Sequence, residues 1–93
     1  MRENVKSWLQ SASQKLKNAE IASADLDAEL ILARVLDTER TTLHAYPNRR
    51  LTRQQVFHAN NWLNKRLKRI PLAYIFNEKE FFGRKFYINE SVL

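Results

Sequence analysis

The side chains able to do chemistry are few and scattered. His44 and His58 fall on different predicted helices, in a chain with no cysteine and with no carboxylate at ligand spacing, so neither reads as a metal ligand. A structural histidine is the default for both. Asp27 and Glu29 would suit acid–base work as a carboxylate pair, but residues two apart on a helix point in different directions. Helix capping, with a salt bridge to a neighbouring helix as a second use, fits them better. No nucleophile–base arrangement is recognisable, and the scattered serines and threonines serve better as caps. The single glycine, Gly83, excludes a glycine-rich phosphate cradle. On its residues alone, the chain reads as a binding or positioning domain without catalytic machinery.

What remains is charge, and it is unevenly spread. Through Tyr46, six Lys/Arg face seven Asp/Glu; from Pro47 onward ten face three, so the net charge of +6 belongs to the second half. An anionic partner should therefore meet that half, through Arg49, Arg50, Arg53, Arg66, Lys68 and Arg69. The bland alternative is a solvated surface that serves solubility.

The elements that must position these residues follow from composition and pattern. A chain of 93 residues makes one domain with one core. One glycine and two prolines favour helices with tight connections over a β-rich fold. The charged start Met-Arg-Glu-Asn-Val-Lys lacks the apolar run of a signal peptide, and Leu30 to Ala33 is too short to span a bilayer. With no cysteine, a soluble cytoplasmic protein is expected.

Val5, Trp8, Leu9, Ala12 and Leu16 fall at helical spacing and predict an amphipathic helix from about Arg2 to Asn18, with Trp8 in the core stripe. Ser23 offers an N-cap for a second helix, apolar on nearly every side from Leu26 to Leu36, which should be the centre of a bundle. Thr38 or Asp37 can cap a short third helix through Leu43 and Tyr46, ended by Pro47. Thr52-Arg53-Gln54-Gln55 reads as a capping box. The fourth helix it starts carries a seam of Val56, Ala59, Leu63, Leu67 and Ile70, with Asn60, Asn61 and Asn64 on or near the wet side.

Pro71 suits the first turn of a short fifth helix, which Asn77 should stop by adopting a left-handed conformation. Gly83-Arg84 then suits a type II′ hairpin turn pairing Phe82 with Lys85, Phe81 with Phe86 and Glu80 with Tyr87. The expected fold is mainly α: a small bundle of about four helices and a short fifth over residues 1–76, then a C-terminal β-hairpin or connector over residues 77–93. Helices can cover only one face of that hairpin. Phe81, Phe82, Phe86 and Tyr87 should therefore meet a further domain beyond Leu93.

Lys65-Arg66, then Pro71-Leu-Ala-Tyr-Ile, then Glu78-Lys-Glu-Phe-Phe-Gly ending Phe86-Tyr-Ile-Asn-Glu-Ser-Val-Leu, closely resembles the N-terminal domain of the HemK/PrmC family of release-factor glutamine methyltransferases. Leu26-Asp-Ala-Glu-Leu-Ile-Leu-Ala and Leu51-Thr look like the family's second and fourth helices. Two departures stand out: Arg69-Ile70 replaces the family's usual Gly-Glu, and Asn77 its usual glycine. The resemblance implies a parent enzyme with a following S-adenosylmethionine-binding domain and an Asn-Pro-Pro-Tyr motif, which methylates the Gly-Gly-Gln glutamine of peptide-chain release factors. This chain would bind the release factor and dock on its own methyltransferase domain, itself holding no catalytic residue and no cofactor. Two other readings compete: a small basic module binding RNA or DNA phosphates, and a docking domain with no enzymatic parent. Against the former, no helix–turn–helix spacing is obvious and most aromatics are committed to stripes or the hairpin.

Overall fold

The first helix, α1 (Val5–Asn18), owes its start to Asn4. Its side chain accepts from the Ser7 N–H at 2.8 Å, while the Asn4 N–H donates to Ser7 Oγ at 3.0 Å. This capping box satisfies two groups that a helix end would leave unpaired. The computed structural model describes residues 3–82, with side chains as far as Asn77. Val5, Trp8, Ala12 and Leu16 are buried, as their spacing predicts.

Helix α2 (Ala24–Leu36) is the centre of the bundle, packed by α1, by the short α3 (Arg40–Ala45) and by α4 (Arg53–Leu67). Ile31 and Leu32 are wholly enclosed, whereas Leu26 is exposed. Ser23 precedes α2 but makes no side-chain bond to its backbone. Glu39, and neither Asp37 nor Thr38, stands at the N-cap of α3. Asp37 has another task, described next.

Three helices end in one way. After α1, α2 and α4 the chain enters the left-handed region at Glu20 (φ 64°), Asp37 (φ 56°) and Arg69 (φ 69°). At each end, two amides fold back on the last turn: Ile21 and Glu20 donate to Leu16 and Lys17, Thr38 and Asp37 to Ala33 and Arg34, Ile70 and Arg69 to Lys65 and Arg66. This is the Schellman closure, normally made with glycine. Gly83 being the chain's sole glycine, the closures use side-chain-bearing residues, at roughly 1 kcal/mol or more each. Arg69 stands where the resembled family usually has glycine, and its left-handed φ supplies the physical reason for that preference.

Between α3 and α4 the chain returns to the start of α1. Pro47 and Arg49 carbonyls accept from the Lys6 and Val5 amides, each at 2.9 Å, and Asn4 and Arg50 form an isolated antiparallel bridge. Two first-turn amides of α1 are thus paired by backbone carbonyls of Pro47 and Arg49. Tyr46 lies just outside α3 as its C-cap.

Helix α4 begins at the expected capping box: Thr52 Oγ1 accepts from the Gln55 amide at 3.1 Å, and Gln55 Oε1 from the Thr52 amide at 2.9 Å. Ala59 and Leu63 are buried, with Val56, Leu67 and Ile70 packed at the margin. Trp62, outside the expected seam, is 2% exposed and the largest fully enclosed side chain. Its ring meets Phe76 at 5.2 Å and His58 at 4.3 Å. Trp8 also serves the core, and its indole N–H donates to Asn60 Oδ1 at 2.9 Å. Asn60 therefore holds α4 against α1 instead of only facing water.

The fifth helix corrects the sequence reading. Helix α5 (Leu72–Phe82) passes through Asn77 without a left-handed residue and continues over the Glu-Lys-Glu stretch. Asparagine disfavours a helix interior by only a few tenths of a kcal/mol, and the glutamates and lysine beyond it are good helix formers. Glu80, Phe81 and Phe82, expected as the first strand of a hairpin, are helical. Gly83-Arg84, Phe86 and Tyr87 lie outside the described residues. The described residues contain five helices and no strand.

Candidate partner-binding surface

The acidic side chains of α2 are all engaged within the fold. Asp27, 4% exposed, receives Arg66 Nε at 2.8 Å and Ser23 Oγ at 2.9 Å on the same oxygen, Oδ2. Glu29 takes Arg40 Nε at 3.0 Å and faces His44 Nε2 at 3.2 Å. Asp25 accepts from the Ser13 hydroxyl and lies 3.5 Å from Lys17. The Ser13 hydrogen bond, and after it the Lys17 charge, hold the Asp25 carboxyl below its ordinary range. The Asp27–Glu29 pair thus diverges, as their spacing requires, and each joins α2 to a different helix. Among the described residues no cluster of groups suited to a metal ion occurs, and no helix is long and apolar enough to cross a membrane.

The six basic residues singled out in the sequence do not form one patch. Arg66 is tied to Asp27 and reaches the Ile70 carbonyl at 3.4 Å. Arg69, at the left-handed elbow, donates Nη2 to the Ala19 carbonyl at 2.6 Å. These two secure the end of α4 to α2 and to the α1–α2 connection. Arg49 and Arg50 sit on the segment that returns to α1, Arg53 opens α4, and Lys68 caps its end. The fifteen residues of α4 separate Arg53 from Lys68 by about 22 Å. The side chains of Arg49, Arg50, Arg53 and Lys68 are exposed and make no hydrogen bond or ion pair among the described residues. Close by, the Lys65 ammonium is held below its ordinary range by burial and then by the Lys68 charge.

A stripe that sequence reading missed runs between those ends. Arg53, Phe57, Asn61, Asn64 and Lys68 recur at three- and four-residue steps on the side of α4 opposite Ala59 and Leu63, and all five are exposed. Phe57, at 75% exposure, is the most open of the large hydrophobic side chains among the described residues, ahead of Tyr74 and Tyr46. The signal was available: on a helix whose buried arc contains Ala59 and Leu63, position 57 falls on the far side. No Asp or Glu occurs between Arg40 and Glu78, so no carboxylate of this segment offsets its charge. Of the four aromatics assigned to a domain contact, Phe81 and Phe82 belong to the last turn of α5.

Residues 7–76 match the family model for the PrmC N-terminal domain. A release factor glutamine methyltransferase of Nitratidesulfovibrio vulgaris is 38% identical over 85 residues, which is 91% of this chain and 29% of that protein. One from Leptospira interrogans is 34% identical over 91 residues, 98% of this chain and 32% of its own length. A bifunctional methyltransferase of Rickettsia bellii is 30% identical over all 93 residues, which make up 17% of it. The chain thus spans less than a third of the length of these curated relatives. No solved structure matches it significantly. A match across most of a bundle built as the sequence pattern requires settles the assignment: the chain belongs to the PrmC N-terminal domain family.

Proposed function

We propose that this chain is the substrate-binding N-terminal domain of an S-adenosylmethionine-dependent protein-glutamine N-methyltransferase. The parent enzyme would methylate the Gly-Gly-Gln glutamine of peptide-chain release factors, in the cytoplasm. The observation that carries this reading is the family match over residues 7–76, with relatives named as release factor glutamine methyltransferases. The site geometry is consistent with it. Every carboxylate of α2 is engaged in holding helices together, so a structural role suits these residues and leaves contact with a partner to other faces of the bundle.

Physical chemistry favours such a division of labour. An amide nitrogen is a poor nucleophile, so much of the rate must come from holding it against the methyl donor in a productive geometry. Contacts remote from the reacting atoms can supply that orientation, since binding energy from the rest of a large protein substrate counts towards the transition state. S-adenosylmethionine would be held by the domain that follows, and its chemistry is transfer of an electrophilic methyl group. In this chain, Arg49, Arg50, Arg53 and Lys68 are available to steer an acidic surface of the release factor. Arg66 and Arg69 belong to the same basic set by sequence, but their geometry gives them a part in holding the domain's shape. Residues 83–93, with Phe86 and Tyr87, lead toward the catalytic domain in this reading.

The test uses the parent enzyme and the 93-residue chain side by side. The parent is expected to transfer a methyl group from S-adenosylmethionine to release factor. The isolated chain is expected to bind release factor in a calorimetric titration and to transfer nothing. A parent inactive on release factor, or an isolated chain that consumes the methyl donor by itself, overturns the reading.

A further inference from the structure

We propose that the outward stripe of α4, which carries Phe57 and is bounded by Arg53 and Lys68, is the surface on which the release factor docks, and that it meets an acidic patch with an apolar recess for the Phe57 ring. This rests on the substrate-binding reading above and adds the place and the chemistry of the contact. A phenylalanine three-quarters exposed on a well-packed helix is the first observation. The same helix buries Trp62 on its other side, so the exposure of Phe57 does not reflect a shortage of room for aromatics in the fold. Transfer of such a ring out of water is favourable when a partner provides the cover.

Charge supplies the occupant. Arg53 and Lys68 make no ion pair among the described residues, and the segment from 41 to 77 contains no carboxylate at all. The partner should therefore be acidic at both margins of the contact.

The layout argues for a protein and against a nucleic acid. An exposed apolar ring at Phe57, amides at Asn61 and Asn64, and cations only at the ends resemble the mixed apolar and polar make-up of a protein interface with a charged rim. A phosphate backbone would want cations along the whole stripe, and the middle of α4 has none on this face. Arg49 and Arg50, on the segment leading into α4, extend the basic margin at the Arg53 end.

The experiment measures release-factor affinity by calorimetry, and KM and kcat for methyl transfer, with the full-length enzyme carrying Phe57→Ser, Asn61→Glu, the pair Arg53→Glu with Lys68→Glu, or the control Lys15→Glu on α1. Circular dichroism checks that each variant folds. Phe57→Ser and Asn61→Glu are each expected to weaken binding about tenfold or more and to lower kcat/KM by a similar factor. The double charge reversal should weaken binding further and flatten its dependence on salt, while Lys15→Glu should bind as the wild type does. If the three α4 variants bind and react like the wild type, the docking face is wrong although the methyltransferase reading stands. Equal weakening by Lys15→Glu also overturns it, because the attraction would then be diffuse. Loss of methyl transfer in the wild type itself overturns the functional reading instead. Binding of a single-stranded RNA oligonucleotide that depends on Phe57, without binding of release factor, overturns both.

Discussion

Helices α2 and α4 are of similar length, thirteen and fifteen residues, and they use charge in opposite ways. On α2 each carboxylate answers a partner on another helix, and the apolar residues between them are enclosed. On α4 one side carries Trp62 into the core, while the other leaves Phe57 and two cations facing outward. The first helix is explained by the fold that surrounds it. The second has a face that the fold does not use, and it is there that we propose a partner docks.

Substitution of the two α4 aromatics is the sharpest way to break this contrast. Trp62→Ala removes a ring in contact with Phe76 and His58 and should cost about 4 kcal/mol in urea unfolding. Phe57→Ser, five positions earlier on the same helix, should change stability by less than about 0.5 kcal/mol. A comparable loss for both would mean that Phe57 supports the fold after all, and the distinction between the two faces of α4 would disappear.

A second test addresses charge. Asp27→Ala leaves Arg66 without its carboxylate at a site only 20% exposed for the arginine side chain. Removing one partner of such a pair should cost about 3 kcal/mol, read by the same urea titration. Replacing both, as Asp27→Leu with Arg66→Met, should recover most of that loss, because the penalty comes chiefly from the stranded charge. Arg53→Glu on the outward face of α4 should leave stability nearly unchanged. If it destabilises as much as Asp27→Ala, the charges of α4 serve the fold too.

The same contrast separates what could be read in the sequence from what could not. The enclosed character of α2 and the Thr52–Gln55 capping box were legible because each depends on local pattern. So was the divergence of Asp27 and Glu29, which follows from helix geometry alone. The helix ends were harder. A Schellman closure is recognised by its glycine, and here Glu20, Asp37 and Arg69 take that position. The continuation of α5 past Asn77 was hidden for a related reason: Asn tolerates both a helical and a left-handed conformation, so its identity alone cannot decide between them. Trp62 was missed because a strict three-four seam had already been filled with smaller residues. As for the candidate site, basic composition pointed to α4 and its flanks but could not distinguish Arg66, bound inward by Asp27, from Lys68 facing outward. That distinction depends on a residue thirty-nine positions away, beyond the reach of any local pattern.

The smallest effect probes how α2 holds its exposed carboxylate. The Asp25 carboxyl titrates below its ordinary value of 3.8, so the folded state favours the anion and its contribution to stability is complete above that pH. It is lost as pH falls through the lower, folded-state value, where both states carry the protonated acid. Ser13→Ala removes the leading cause and should move the Asp25 titration up toward 3.8, followed by carbon-detected NMR of the carboxyl. Lys17→Ala should produce a smaller upward move. Added salt separates the two causes, because an exposed ion pair is screened whereas a hydroxyl donating directly to the carboxylate is not. In 1 M salt, with a screening length of about 3 Å, Lys17→Ala should therefore lose most of its effect, keeping the smaller part that comes from its hydrogen bond, while Ser13→Ala keeps most of its own. The reverse result would place Asp25 among long-range surface charges, and α2 would then share with α4 the outward-facing electrostatics that otherwise distinguish the two helices.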